Sequence, residues 1–114
     1  PGLAGIRRFR ELLDGLTDPA AVEHAERYVR ELHVARSAAS TCLSSWAVMI
    51  SEALGEPVIR AALEDAARSY AEVASALADA PNFVEAFAVV EPLEAAALDS
   101  LLVATSHFPG PFEA

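Results

Sequence analysis

The stretch from Asp18 to Gly55 constrains this chain more than any other, because it contains start and stop signals for a single helix and no breaker between them. Asp18 is a capping residue, and Pro19 suits the first helical position, where a missing N–H costs nothing. Leu54-Gly55-Glu56-Pro57 supplies a glycine for a left-handed terminus and then a residue that cannot continue the helix. Between these marks a 3-4 spacing runs through Val22, Ala25, Val29, Leu32, Arg36, Ala39, Leu43, Trp46, Ile50 and Ala53. That period puts one helical face against other helices. A helix over 19–54 would be about 54 Å long at 1.5 Å per residue. A compact chain of this size has a radius of gyration near 13 Å, too small to cover such a rod. The helix therefore either breaks near residues 36–41 or belongs to an elongated bundle with a second subunit. The stripe keeps its phase across Arg36, which favours the elongated form.

Three shorter helices follow from the same logic. Leu3, Ile6, Phe9, Leu13 and Leu16 form the apolar side of a helix over 3–15, with Arg7, Arg8 and Arg10 on its solvent side, either an ordinary solvated face or a docking surface for an acidic partner or the protein's own acidic helices. Pro57 opens a helix to about Asp79, with Ile59, Leu63, Ala66, Tyr70, Val73 and Leu77 inward and four-residue charge pairs Arg60–Glu64, Glu64–Arg68 and Arg68–Glu72 outward. Asn82 and Glu85 form a capping box for a fourth helix with Phe83, Phe87 and Val90 inward. Pro92 predicts a kink or restart in it. The last segment fades near Ser106, and residues 107–114 read as an extended tail whose Phe108 and Phe112 either tuck into a groove or hang free. The fold class is all-α: a four-helix bundle over 1–106, elongated and dimeric, with a long central helix and a kinked last one. The first and third helices would lie along the two halves of the long one. The fourth would leave an apolar strip for a dimer contact.

The formal net charge of −9, with no lysine in the chain, argues against a nucleic-acid partner, since affinity for phosphate comes from basic residues. One cysteine cannot form an internal disulfide, and no apolar run is long enough to span a bilayer. These features predict a cytoplasmic protein with no membrane association. For metals, no Glu-x-x-His, Cys-x-x-Cys or His-x-x-x-His occurs, so no metal site or cofactor is expected. Cys42 is expected to be a small buried thiol, out of reach of His33.

Arg36 interrupts the stripe amid His33, Ser37, Ser40, Thr41, Cys42, Ser44 and Ser45. A buried unpaired guanidinium costs several kcal/mol, about as much as one or two buried Leu side chains contribute. It must therefore meet a carboxylate, be exposed by a bend, or bind a ligand anion. In the last case Arg36, His33, Trp46, Tyr70 and Phe87 would line an anion-binding pocket. The segment His33-Val34-Ala35-Arg36-Ser37-Ala38-Ala39-Ser40 resembles the phosphorylatable segment of histidine phosphotransfer domains, four-helix bundles with an exposed His and a Lys three residues later. That resemblance implies that His33 would accept the phosphoryl group and Arg36 replace the Lys. It covers about eight of 114 residues and departs from the family where Ser37 and Leu43 replace glycines. Arg27 and His33 also resemble the Arg-spacer-His motif of HEPN-type ribonucleases. The reading carried forward is a non-catalytic interaction domain, a homodimer that contacts a protein partner through helix faces. A small-molecule-binding bundle is the alternative, and histidine phosphotransfer a lesser one.

Overall fold

The computed structural model describes residues 2–13, 15, 18–79 and 83–108, and for Phe83 the backbone alone. Four helices follow in order: α1 (Leu3–Leu13), α2 (Pro19–Leu54), α3 (Pro57–Asp79) and α4 (Phe83–Ser106). The described residues contain no strand.

Helix α2 is continuous over 36 residues, through Arg36 and the hydroxyl-rich segment. Its start is capped by the Asp18 carboxylate, which accepts from the Ala20 N–H at 3.1 Å. Its end is closed by Gly55 at φ 62°, whose N–H donates to the Ser51 carbonyl at 2.8 Å. A side chain at that φ would be strained, and this is why the glycine matters here. Two hydroxyls at the middle of α2 bond without breaking it. Thr41 Oγ1 donates to Ser37 O four residues back, and Ser40 Oγ to Ala67 O on α3.

The structure is elongated, 52 × 27 × 18 Å with a radius of gyration of 16.2 Å, above the roughly 13 Å of a compact chain this long. Helix α3 folds back along α2 through a two-residue connection, and α4 packs along α3. Helix α1 packs mainly on α4 and touches α2 where the Phe9 ring lies against that of Tyr28, tilted, with centroids 4.2 Å apart. The expected arrangement of α1 and α3 along the two halves of α2 is therefore replaced. Helix α3 serves both neighbours, and α1 fills the groove between α2 and α4 at one end. The outer arginines of α1 fix that position: Arg7 and Arg10 both pair with Glu91 of α4, at 2.9 and 2.5 Å.

The core consists of two apolar clusters. The near cluster, under α1, contains Ile6, Leu13, Val29, Leu32, Val73, Leu77, Phe87 and Val90. The far cluster contains Leu43, Ala47, Ile59, Leu63, Ala66 and Ala104, with Leu101 and Phe108 packed against it. Phe108 thus tucks in, while Phe112 lies outside the described residues, as do Leu16 and the capping residue Asn82. The far cluster holds more alanine and no large aromatic among its fully buried members. Much of the exposed large apolar surface, including Trp46, Met49, Leu98 and Leu102, belongs to this far half.

Two local expectations need correcting. Cys42 is exposed: it lies on the side of α2 away from α3, whereas Leu43 and Ala47 turn inward. Arg68 pairs with Asp65 three residues back at 2.8 Å, while Arg60 pairs with Glu64 as the spacing predicts. Helix α4 passes Pro92 as one helix, without a restart. Pro92 and Ala88, whose carbonyl loses its intrahelical donor, are both exposed, so water can satisfy that carbonyl.

Candidate functional site: a polar layer between two apolar clusters

Arg36 sits on the inner face of α2, where the near cluster ends and the far one begins. The helical period that buries Leu32 and Leu43 brings it to the same face. Its Nε donates to Glu94 Oε1 of α4, the one charged residue that is buried among those described. The side chains are 13% and 5% exposed, so the pair is removed from solvent almost completely. Glu94 belongs to α4's own inner line with Val90 and Ala97. Two apolar stripes therefore each contain one charge, and the helices align so that the charges meet.

Aromatic rings flank the pair. The Arg36 guanidinium carbon lies 5.5 Å from the centre of the Tyr70 ring, within cation–π range. Burial raises the pKa of both tyrosines; around Tyr28 the Arg36 charge partly offsets this, and around Tyr70 the Glu94 charge adds to it. Both phenols thus lie in the field of the same ion pair. On the α3 side of α2, His33 Nδ1 lies 2.9 Å from Ala74 O; because the acceptor is a carbonyl, that nitrogen carries the proton. His33, Ser37 and Ser40 line a shallow groove of about 320 Å³ with Ala71, Ala74 and Ser75 of α3. Among the described residues no buried side-chain nitrogen or oxygen lacks a hydrogen-bond partner.

The five residues proposed for an anion pocket occupy four different places. Arg36 and Tyr70 meet in the polar layer. His33 faces the groove between α2 and α3. Phe87 is fully buried in the near cluster, where its ring lies 4.9 Å from that of Phe9. Trp46 is half exposed on the far half. Sequence reasoning identified the cation but not its partner: Glu94 follows Pro92 in a segment read as apolar, and its inward phase is visible only when α4 continues unbroken through the proline. Tyr28 was likewise missed, since nothing local marks it as a neighbour of Arg36.

Chemically, the layer is a neutralised ion pair held by two helices and roofed by two phenols. Such a pair makes one alignment of α2 and α4 better than its neighbours, because sliding either helix by a turn would bury both charges unpaired. A second shallow groove, about 350 Å³ and lined by Pro57, Val58, Ala61, Asp65, Ser100 and Val103, runs between α3 and α4 on the far half. Among the described residues no group of three His, Cys, Asp or Glu side chains is placed to hold a metal ion, and no helix is long and apolar enough to cross a membrane. Comparison with protein-family models, with curated proteins and with solved structures finds no match to this chain.

Proposed function

We propose that this chain is a non-catalytic interaction domain of the cytoplasm that works as a homodimer through helix-face contacts. The observation that carries this reading is the unequal covering of α2. Its near half is flanked by α3 and, through Phe9 on Tyr28, by α1, whereas among the described residues its far half has α3 but no counterpart of α1, and exposes Trp46 and Met49 at 50% and 59%. Large apolar side chains gathered on one end of a domain are the usual mark of an interaction surface. The polar layer fits the same reading as an alignment device. Glu94 already supplies a counter-charge to Arg36, so anion binding is not needed to explain the arginine.

The test is the native mass of the purified protein at micromolar concentration, against multiples of 12.0 kDa. A dimer is expected. A strict monomer would overturn the reading and return attention to a ligand in the polar layer.

A further inference from the structure

Helix α1 is held differently from the other three. Helices α2 and α4 each pack along α3, whereas α1 packs on α4 and meets α2 where Phe9 lies against Tyr28. Its buried side chains Ile6 and Leu13 rest on a near cluster that the other helices already share, through Val29 and Leu32 of α2, Val73 and Leu77 of α3, and Phe87 and Val90 of α4. The far cluster and the Arg36–Glu94 pair contain no α1 residue. Taking α1 away therefore leaves the α2–α3 and α3–α4 packing and the polar layer in place. By itself α1 has little to keep it helical. It is 11 residues long, below the roughly 12–15 at which a helix is marginal in water. Arg7 and Arg10 are three residues apart, a like-charge spacing that opposes the helix. Glu91 of α4 reverses that balance, since its two carboxylate oxygens take Arg7 at 2.9 Å and Arg10 at 2.5 Å. Docking and helix formation in α1 are thus coupled through one carboxylate.

We infer that α1 is a strap that opens and closes as one unit over a three-helix body that stays folded, with Glu91 as its latch. The inference is independent of the dimer proposed above. The two ion pairs of α1 differ from the one in the polar layer in a way that permits opening. Arg7 and Arg10 are 56% and 44% exposed while docked, so undocking returns them and Glu91 to water and strands no charge in the core. Opening Arg36–Glu94 would strand two. What the strap covers is an aromatic site. The Phe9 ring lies between those of Tyr28 and Phe87, with centroids 4.2 and 4.9 Å away, and Phe87 is fully buried beneath it. When α1 opens, the two rings lose their cover together and the Glu91 carboxylate beside them loses both its cations.

Amide hydrogen exchange of the full chain, resolved helix by helix, tests this. The amides compared are those of residues 7–13 in α1, past its unbonded first turn, and those of residues 73–77 in the middle of α3. Protection factors in α1 should be at least about a hundredfold lower than in α3, as for a unit that opens without global unfolding. Glu91→Gln should speed exchange in α1 at least about tenfold and change α3 by less than about twofold. Phe9→Ala, which empties the place between the two rings, should act just as selectively. Arg60→Gln, which removes an ion pair within α3, should leave α1 as it is. Exchange in α1 at the rate of α3 means one cooperative unit and overturns the strap. Equal acceleration of every helix by Glu91→Gln and Phe9→Ala overturns it as well. Exchange in α1 that Glu91→Gln does not speed overturns Glu91 as the latch.

Discussion

Replacing Glu94 with leucine takes away the counter-charge of Arg36 and leaves a guanidinium, 13% exposed, between two apolar clusters and a tyrosine ring. Arginine cannot shed its proton, so it must either distort the bundle to reach water or remain charged where it is. Removing one partner of a buried pair costs about 3–5 kcal/mol. For 114 residues the unfolding entropy near the transition is about 0.24 kcal/mol/K, so this corresponds to a fall in Tm of roughly 12–20 °C. Arg36→Met should cost less, because a carboxyl left unpaired at position 94 can take up a proton and become neutral. The double variant Arg36→Met/Glu94→Leu should fall within about 1 kcal/mol of the wild type or exceed it, since apolar side chains of similar volume replace a buried pair without desolvating charge. Urea unfolding followed by circular dichroism, with all four proteins at one concentration, closes the double-mutant cycle. The reasoning is refuted if Glu94→Leu alone costs less than about 1 kcal/mol, as a solvated surface pair would, or if the double variant loses the sum of the two singles.

Other consequences follow from the same geometry. The hydrogen bonds of Glu91 to Arg10 and then Arg7 hold its carboxyl below its ordinary value of 4.5. The unfolded chain therefore binds more protons in acid, and this contribution is present above pH 4.5 and lost as pH falls through the lowered folded value. Urea midpoints should drop between pH 5 and pH 3, with a smaller drop for Glu91→Gln; equal slopes in the two proteins would disprove it. Tyr28 and Tyr70 are the only tyrosines, and burial raises both, so ultraviolet titration of the folded protein should show no phenol ionising at the ordinary 10.0. Their contribution is intact below pH 10 and lost above it, where the unfolded chain ionises first. Gly55→Ala has open space for its methyl group, so its cost is conformational alone, about 1–2 kcal/mol for placing a side chain at φ 62°, and the melting temperature should fall by several degrees. No change would mean that the α2–α3 connection relaxes.

The length and limits of α2, the inward lines of α3 and the all-α class were legible because they depend on local chemistry. A cap at Asp18, a left-handed glycine at 55 and a period of 3.6 residues act over a few turns, and a single strand of sequence contains them. The conflict at Arg36 was legible for the same reason, as a charge in phase with Leu32 and Leu43. Its resolution was not. Glu94 lies 58 residues away, and only the packing of α2 and α4 on a shared α3 sets both charges at one height. The exposure of Cys42 was also a tertiary matter: its period allowed either flank of the stripe, and α3 covers the other one. So was the covering of Tyr28 by Phe9 of α1, while Trp46, equivalent to Tyr28 on the helix, is half exposed. Sequence by itself determined which faces must be buried, because periodicity is a property of one helix. Tertiary structure decided which of them this chain buries alone, because covering a face depends on the lengths and positions of other helices.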